Sequence, residues 1–360
     1  MREYLFVFGR EPDLSFLEVI SYFQGYDVNY KLVGWEKEVA IFLLEDLDFD
    51  LLIKRLGGTV KIAEVFLDYK YNGSRNKLNY GISVYSGNGN KLKSYLENEF
   101  KKERVKAVFR KSREKTFMPT EIFAKDLLEF VVYEKYFAKT IAVFNPRDYK
   151  ERDETRPKQI TLHQVSLRLA RILINLSYAR HNLLDPFCGV GTILQEAMIS
   201  GIDVIGVDIV NESTDASKEN LNWLKNKYNL KNNFKILKGD SGKLAKYFKR
   251  NEIHAVATEP DLGPYYRKMP NKEEVNGVIK TLENLYLDFF LGLRQVIKKS
   301  GKVAIVIPRL KYKNGYVEVN INKIIAQSGF RLFVADKRVK LPIVSKSRFL
   351  DRLIYVFEAA

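Results

Sequence analysis

The sequence of 360 residues has very few side chains that could cross-link the chain or hold a metal. It contains one cysteine, Cys188, and three histidines. A single cysteine excludes an internal disulfide framework, and one cysteine with three histidines leaves no plausible zinc site within the protein. No acid–base partner is visible near Cys188, so we interpret it as a small packed side chain rather than a nucleophile. We expect no metal.

Long apolar runs are also lacking. No uninterrupted apolar stretch is long enough to span a bilayer. Residues 1–10 lack the long apolar region and the cleavage site of a signal peptide, and their composition predicts a strand instead. We therefore expect a cytoplasmic protein that does not enter the membrane.

Acidic residues are in deficit. The chain has 60 Lys and Arg against 44 Asp and Glu, which gives a formal net charge of +16. This balance favours a polyanionic partner such as nucleic acid. Charge alone leaves open that the lysines only keep the protein in solution. An acidic membrane surface is the weaker interpretation, because no basic amphipathic helix stands alone.

The most informative stretch is a glycine turn between a buried strand and a helix. Residues 183–192 read Leu-Leu-Asp-Pro-Phe-Cys-Gly-Val-Gly-Thr, and a helix-forming run follows. Glycines let a ligand approach the backbone, and a helix N-terminus offers free N–H groups to an anion. A second strand, residues 203–209, carries Asp208, 23 residues after Asp185. An acid at about that spacing meets a ribose in such units. The pattern predicts a nucleoside-containing cofactor.

The glycines narrow the choice of cofactor. A dinucleotide fold uses three glycines to admit a pyrophosphate, whereas this turn has two, followed by Thr192 and the long side chain of Leu194. A smaller charged group fits better, such as the amino-acid end of S-adenosylmethionine. A third strand, residues 234–240, ends in Asp240, placed to accept from an adenine amino group. The predicted cofactor-binding residues are Asp185, Phe187, Gly189, Gly191, Thr192, Asp208, Ile209, Asp240 and Ser241.

A fourth strand, residues 254–260, ends in the acid–proline pair Glu259-Pro260 and runs into Asp261-Leu262-Gly263-Pro264. With the glycine turn and the acids that end strands two and three, this acid–proline turn resembles the amino-methylating S-adenosylmethionine-dependent methyltransferases. The resemblance is closest to the archaeal and eukaryotic tRNA guanosine-10 N2-methyltransferase family, which carries an N-terminal THUMP domain. Thr155-Arg156-Pro157 and residues 345–352 resemble that family too, so the likeness covers nearly the whole chain.

The resemblance and the alternation of helices with strands predict an α/β fold class. We expect a Rossmann-like, doubly wound methyltransferase sheet of seven strands, whose last pair includes one antiparallel strand. An N-terminal α+β region that contains a THUMP domain precedes it. The expected domains are an α+β subdomain (1–70), a THUMP-like RNA-binding domain (71–144), a linker (145–160) and a methyltransferase domain (161–360). A helix over residues 162–176 opens the last domain, and we interpret His163 as a helix-end or surface residue.

A basic segment lies within the predicted THUMP-like domain. Residues 91–115 carry ten Lys or Arg against four Glu. With Phe109 and Phe117 beside it, the segment suits phosphates and exposed bases. Any one of these cations alone is an ordinary solvated side chain, but as a group we expect them to contact RNA. The predicted RNA-binding residues, called the basic run below, are Lys101, Lys102, Lys106, Arg110, Lys111 and Arg113.

The resemblance implies methyl transfer to an exocyclic amine, whose lone pair is delocalised into the base. The cofactor supplies the leaving group, while the enzyme accepts the N–H bonds and aims the lone pair at the methyl. Amine methyltransferases do this with Asp-Pro-Pro-Tyr or Asn-Pro-Pro-Tyr. Here Glu259 is one methylene longer, Asp261 replaces the second proline, and Leu262 replaces the stacking aromatic.

The predicted catalytic residues are Glu259, Pro260, Asp261 and Tyr265. Either of the two acids could accept from the target amine, and Tyr265 or Tyr266 could supply the missing ring. A turn that has lost its chemistry, in a protein that only binds RNA, is the competing interpretation.

The leading prediction is an S-adenosylmethionine-dependent tRNA methyltransferase that acts on N2 of a guanosine, at position 10 by resemblance. The alternatives are a catalytically impaired tRNA-binding protein and a DNA adenine-N6 methyltransferase. We expect tRNA as the partner and a monomer as the assembly. A small activating protein, of the kind that some family members use, stays an open alternative, as do the exact nucleotide and the number of methyl groups added.

Overall fold

The computed structural model describes residues 1–159 and 165–360. The predicted start of a helix at residue 162 and the interpretation of His163 therefore lie outside the described residues. The chain divides into two compact units. The first comprises Met1–Phe16 and Asn29–Arg152, and the second comprises Leu17–Val28 and Asp153–Ala360.

The first unit is built on a mixed sheet. Its strands are β1 (Arg2–Phe8), β2 (Tyr30–Glu36), β3 (Val39–Leu44), β4 (Thr59–Val65), β5 (Lys77–Val84), β6 (Lys106–Phe109), β7 (Leu127–Tyr133) and β8 (Tyr136–Val143). The helices that begin in it are α1 (Pro12–Gly25), α2 (Phe49–Arg55), α3 (Gly89–Lys102), α4 (Pro119–Ala124) and α5 (Pro146–Thr155). The strand order is β2-β3-β1-β4-β8-β7-β5-β6. Neighbours are antiparallel except that β5 runs parallel to β6 and β7.

Local sequence explains these elements. Strands β1 and β3 lie inside the sheet, and their nearly continuous apolar residues are buried. Helix α2 begins where the side chain of Asp48 accepts from the Leu51 N–H, and α3 begins where Asn88 does the same for its first turn. Propensity and capping therefore agree with the elements that the packing selects.

The sheet crosses the boundary expected at residue 70, because β4 pairs with β8. The linker expected over residues 145–160 is largely helical, since α5 occupies most of it. Asn145 explains the difference: its side-chain oxygen accepts from the Arg147 N–H at 3.1 Å, its amide donates to Asp148, and Pro146 takes the first helical position. A proline that suggested a break in the chain instead starts a helix.

The second unit is an α/β domain. Its strands are β9 (Asn182–Asp185), β10 (Asp203–Asp208), β11 (Phe234–Lys238), β12 (Ile253–Thr258), β13 (Ile297–Tyr312), β14 (Gly315–Glu318), β15 (Phe330–Leu332), β16 (Ile343–Ser345) and β17 (Leu350–Ala359). Its helices are α6 (Leu167–Leu176), α7 (Thr192–Ile199), α8 (Asn211–Lys227), a 3₁₀ helix (Ser241–Lys246), α9 (Lys272–Arg294) and α10 (Ile321–Ser328).

The strand order of the second unit is β11-β10-β9-β12-β13-β17-β15. Strands β9 to β13 are parallel, while β17 is antiparallel to both of its neighbours on this path. The predicted doubly wound, Rossmann-like fold is therefore confirmed. Two short strands that the sequence patterns did not predict, β14 and β16, pair with β13 and β17. The order reverses between β9 and β12, and ligands bind at the carboxyl ends of the strands at such a point.

Candidate active site

A cavity of about 410 Å³ lies at the carboxyl ends of β9, β10 and β12, where the strand order reverses. Nine predicted site residues line it: Asp185, Phe187, Gly189, Thr192, Asp208, Ile209, Glu259, Pro260 and Asp261. Among the described residues that line it, Gly191, Asp240, Ser241 and Tyr265 are absent. The sheet thus brings most of the predicted cofactor and catalytic residues to one place.

The two glycines of the turn have different tasks. Both take positive φ, +51° at Gly189 and +84° at Gly191. A Cβ on Gly189 would meet no atom within 4 Å, so this residue faces open space in the cavity. A Cβ on Gly191 would lie 2.6 Å from the hydroxyl of Ser217 on α8. Only Gly189 can therefore approach a ligand in the cavity, while Gly191 lets the turn pack against α8 and start α7.

Asp208 ties the end of β10 to the glycine turn. Its Oδ2 accepts from the Gly189 N–H at 2.9 Å, and its Oδ1 accepts from the Val210 N–H at 2.9 Å. A carboxylate has about four lone-pair sites, so both oxygens can still accept from a ligand hydroxyl. Asp208 lines the cavity in this orientation. The residue predicted for a ribose thus also positions the turn.

Asp185 is a buried acid at the floor of the cavity, 2% exposed. Its Oδ1 accepts from the Thr258 hydroxyl at 2.7 Å and from the Phe187 N–H at 3.2 Å. The pKa of Asp185 is raised to about 7: burial is the largest cause, the two hydrogen bonds oppose it, and the negative charges of Asp208 and Glu259 add to it. The cavity therefore favours a cationic ligand group, which would keep this acid ionised.

Glu259 is held by a residue that the sequence patterns did not place in the site. Arg352 on β17 binds both of its oxygens, with Nε–Oε2 at 2.9 Å and Nη2–Oε1 at 3.3 Å. The glutamate side chain is only 5% exposed. The pair joins residues 93 positions apart, so no local pattern could have revealed it. The family-like stretch 345–352 was the one available signal, because Arg352 ends it.

The second acid of the turn is placed differently. Asp261 is exposed, and its Oδ1 accepts from the Gly263 N–H of its own turn at 2.9 Å. Its backbone carbonyl accepts from the buried Tyr286 hydroxyl. Leu262, 3% exposed, lines the cavity, whereas Tyr265 is 60% exposed. The side chain of this turn that lines the cavity beside the acids is therefore aliphatic, and Tyr265 is not among the lining residues.

Asp240 and Ser241 lie at the start of the 3₁₀ helix rather than at the cavity wall. The Asp240 carboxylate accepts from the Gly242 N–H and forms an ion pair with Lys243, each at 2.9 Å. The hydrogen bond from Lys243, followed by that from Gly242, lowers the pKa of Asp240. Ser241 is buried, 6% exposed. The carboxylate that was predicted to accept from the adenine amino group is thus paired with Lys243 in this structure.

Two further residues support the cavity from behind. The buried Arg156 donates from Nη1 to the hydroxyl of Thr192 at 3.1 Å, so this predicted ligand residue has a protein partner. Asn220, fully buried on α8, donates to the carbonyls of Val190 and Lys158 at 2.9 and 3.0 Å. These contacts attach residues 156–158 to the glycine turn. In the sequence, Arg156 stands out only for its likeness to the family.

In the first unit, all six residues of the basic run are exposed. Lys102 pairs with Glu99, and Arg110 donates to Asn79 at 2.9 Å. Phe109 is half-buried, but Phe117 is 1% exposed and packs in a core with Ile122 and Leu127. Of the two rings noted beside the basic segment, Phe117 therefore lies in the protein's own core and is not exposed to a base.

Metal-binding clusters and membrane-spanning helices are not found in the described residues. In residues 1–159 and 165–360, no group of three or more His, Cys, Asp or Glu side chains is arranged to hold a metal ion. No helix in that part of the chain combines the length and apolar character that crossing a membrane requires. Cys188 is buried, and burial raises its pKa well above the ordinary value, which agrees with a packed side chain.

The strand order, the glycine turn and the acid-lined cavity at the switch point define a Rossmann-like methyltransferase domain. A family model described as UPF0020, RMKL-like, methyltransferase domain, matches residues 161–323. The chain is 30% identical over 140 residues to a probable tRNA (guanine(10)-N2)-dimethyltransferase of Methanothermococcus thermolithotrophicus, a match that covers 37% of this chain and 75% of that sequence. The chain belongs to this family of tRNA (guanine(10)-N2)-dimethyltransferases.

Other relatives are matched over shorter shares of their length. The tRNA (guanine(10)-N2)-dimethyltransferase of Pyrococcus abyssi (strain GE5 / Orsay) is 30% identical over 146 residues, which is 41% of this chain and 42% of that protein. The chain thus spans less than half the length of that curated relative. Among solved structures, a possible methylase from Clostridium difficile 630 is 12% identical with a TM-score of 0.46, over 98% of this chain and 97% of that one. That likeness is too distant to carry an argument.

Proposed function

We propose that this protein is an S-adenosylmethionine-dependent tRNA methyltransferase that methylates N2 of a guanosine, at position 10 by the names of its relatives. One observation carries the proposal. A single cavity has the glycine turn and Asp208 on one side and the turn Glu259-Pro260-Asp261 on the other. A cofactor and a target amine bound there would meet between these two sides.

The described residues fit the proposed cofactor. Gly189 leaves its side of the cavity open, and the N-terminus of α7 lies directly behind the turn. Asp208 is placed for the ribose hydroxyls, and Asp185 gives the cavity an acid for the cationic amino-acid end. S-adenosylmethionine supplies the activated methyl group when bound. The adenine contact predicted for Asp240 and Ser241 stays a proposal, since it requires Asp240 to share its oxygens with Lys243.

Of the two candidate acceptors, we favour Glu259. Its carboxylate lines the cavity and is nearly buried, and the bidentate contact from Arg352 holds it in one orientation. An ionised carboxylate can accept an N–H of the target amine and so help its nitrogen pyramidalise. Asp261 is the weaker candidate because its Oδ1 is engaged in its own turn and the side chain is exposed. Pro260 keeps the turn rigid beside the acid.

The turn Glu259-Pro260-Asp261-Leu262 contains no aromatic side chain on which the target base could stack. Leu262 offers an apolar surface at the cavity wall, and base–aromatic stacking is worth about 1–3 kcal/mol per base. Tyr265 is exposed three residues further on and is our candidate for the ring that meets the base from the RNA side. It can stack only if the substrate, or the tyrosine itself, closes over the cavity.

Nucleoside analysis is the direct test of the proposal. Purified protein is incubated with labelled S-adenosylmethionine and a tRNA transcript that has guanosine at position 10. The nucleosides of the transcript are then separated and identified by mass spectrometry. We expect N2-methylated guanosine, which disappears when position 10 is changed to adenosine. Label in N6-methyladenosine of duplex DNA would support the DNA enzyme instead. Tight tRNA binding without cofactor binding would support the impaired RNA binder.

The basic run of the first unit is the proposed RNA-binding surface, within a THUMP-like region. Its cations are exposed, as groups that bind phosphates must be. Four of them are neutralised together: Lys101→Gln, Lys102→Gln, Lys106→Gln and Arg110→Gln. Binding to tRNA should weaken, and the slope of its salt dependence should flatten by up to about 1 for each phosphate that the variant no longer neutralises.

The control for that experiment removes four exposed lysines of the same unit that lie outside the run. These are Lys31→Gln, Lys37→Gln, Lys70→Gln and Lys135→Gln. An equal decrease in both variants would show that net charge alone, rather than this surface, governs binding.

We propose that the protein acts as a monomer in the cytoplasm. A rise in activity on adding a small partner protein would extend the proposal.

A further inference from the structure

A second cavity, of about 340 Å³, lies in the second unit at the opposite end of the parallel strands. It is lined by residues that precede β9, by His254 near the start of β12 and by the start of β13, with Gln24 and Gly25 of α1 at one side. The active-site cavity lies where β9 and β12 end. A strand of six residues such as β12 spans roughly 20 Å at about 3.3 Å per residue, which separates the two cavities.

The described residues that line this cavity include six basic side chains and no acid. They are Arg180, His181, His254, Lys298, Lys299 and Lys302. Two of them have acidic partners outside the lining: Arg180 pairs with Asp27 at 2.8 Å and Lys302 with Glu358 at 2.9 Å. In the described part of the chain, Lys298 and Lys299 are exposed and have no ion-pair partner. The cavity thus holds positive charge that the protein does not neutralise.

The crowding of cations affects His254. Partial burial, followed by the charge of Lys298 and by His181, lowers the pKa of His254 below its ordinary value. The other charged side chains that line the cavity, Arg180, Lys299 and Lys302, are also basic, and Tyr178 lines it too. An anion bound here would reverse the effect, because it would favour the protonated ring. Ser300 and Gly301 complete the rim, where the register of β13 against β12 shifts.

We propose that this cavity is a phosphate-binding site and that its ligand is a backbone phosphate of the RNA substrate. The RNA assignment rests on the proposed function, while phosphate binding itself does not. Clustered lysine, arginine and histidine side chains are the groups that bind phosphate oxygens. A folded RNA presents phosphates at many points over roughly 20 Å, so one RNA can reach this cavity while its target base is at Glu259. A free phosphate compound has the same chemistry and is separated from RNA by the tests below.

The first test uses inorganic phosphate and the ring protons of the histidines in the full protein. The pKa of His254 is measured by NMR with and without phosphate, at matched ionic strength in chloride. We expect a saturable shift of the His181 and His254 signals and a rise in the pKa of His254 towards or above 6.5. A His254→Gln variant assigns the signal. Unchanged pKa and unchanged shifts in excess phosphate would overturn the proposal.

The second test assigns the phosphate to RNA. Lys298→Gln with Lys299→Gln removes the two unpaired cations, and Lys231→Gln with Lys249→Gln removes two exposed lysines of the same unit elsewhere. We expect the first pair to weaken tRNA binding about 10-fold at low salt and to flatten the salt dependence by about 1 to 2, against little change in the control pair. Cofactor affinity should be equal in both variants, which verifies the fold.

The outcomes separate the sources of phosphate. A fall in tRNA affinity in the Lys298 and Lys299 variant alone supports the RNA assignment. Equal tRNA affinity in the two variants, with the phosphate titration positive, overturns it and assigns the cavity to a free phosphate compound. If no tRNA is methylated yet the histidines respond to phosphate, the proposed function fails while the phosphate site stands.

Discussion

Two buried acids, one in each unit, show how differently the same side-chain chemistry can be used. Glu129 in β7 is 1% exposed, and its oxygens accept from Lys61, Ser83 and Thr140. Lys61, also 1% exposed, donates in addition to the Phe117 carbonyl. These three partners of Glu129 are all donors, so the acid belongs to a closed network within one sheet.

Asp185 in β9 is 2% exposed but has a different environment. It has two donors, Thr258 and the Phe187 N–H, and it shares its cavity with Asp208 and Glu259. Burial, with a smaller contribution from the neighbouring acids, raises its pKa to about 7. A buried carboxylate whose charge is balanced by donors and a cation stabilises the fold. Acids that line a cavity together repel one another, and a cationic ligand would relieve that repulsion. The comparison therefore separates a structural network from a functional one.

Breaking the closed network should have the largest effect. Lys61→Met keeps most of the side-chain volume but leaves Glu129 buried without its cation. We expect the free energy of unfolding of the first unit to fall by about 3–5 kcal/mol, as when one partner of a buried ion pair is removed. Equilibrium urea unfolding measures it.

The matched control for Lys61 is an ion pair in solvent. Arg75 and Asp126 form such a pair in the same unit, with side chains 59% and 77% exposed. Arg75→Ala should cost about 0–1 kcal/mol. Equal destabilisation of the two variants would show that burial of the ion pair makes no difference to its contribution in this unit.

Removing the proposed acceptor tests the functional side of the comparison. Glu259→Ala should lower the single-turnover rate of methyl transfer to tRNA by about 10²–10³, at saturating cofactor, because the oriented acceptor is gone. Glu259→Gln keeps an oxygen and should lower the rate modestly. Asp261→Ala should be the mild change, since that carboxylate serves its own turn.

The opposite ranking would assign the acceptor to Asp261. Activity that survives with both Glu259→Ala and Asp261→Ala would remove both acids from the mechanism. An Arg352→Lys variant keeps the charge but cannot donate to both carboxylate oxygens in the same geometry, so it should slow the step while cofactor affinity stays equal.

A smaller effect is expected from the acid at the end of β10. Asp208→Ala should weaken S-adenosylmethionine binding by about 2 kcal/mol, as for removal of a hydrogen bond to a charged group, and should leave tRNA binding nearly unchanged. Asp208→Asn keeps one oxygen for the Gly189 N–H and so separates the effect on the turn from the effect on the ligand. Isothermal titration measures both variants, and wild-type affinity in Asp208→Ala would contradict the assignment.

The stability of the protein should also depend on pH. Because the pKa of Asp185 rises from 3.8 to about 7 on folding, the folded protein binds the proton more tightly than the unfolded chain. The contribution of Asp185 to the free energy of unfolding is fully present below pH 3.8 and is lost as the pH rises towards 7. The thermal midpoint of the wild type should therefore fall relative to Asp185→Asn over that window. A difference that is constant with pH would show that the acid is not perturbed.

Sequence patterns predicted much of this site because strand ends are local features. A buried strand that stops in an acid can be recognised from a few residues, and parallel strands bring such acids to one edge. Asp185, Asp208 and Glu259 were found in this way and line one cavity. The position of Phe117 beside a basic segment did not reveal its burial, because an aromatic ring there is equally suited to the protein's own core. The two prolines suggested a linker over residues 145–160 but did not reveal its helix, because Pro146 can begin a helix as readily as it can interrupt one.

The sequence by itself determined the α/β class, the family likeness and the glycine turn, since these depend on residues close together along the chain. Only the tertiary structure decided which partners the charges have. Arg352 reaches Glu259 across 93 positions, and the basic side chains near Lys298 meet those before β9 through the pairing of distant strands. Such contacts depend on how the sheet is packed, because the Coulomb energy of a pair depends on its distance and burial and not on its spacing in the chain.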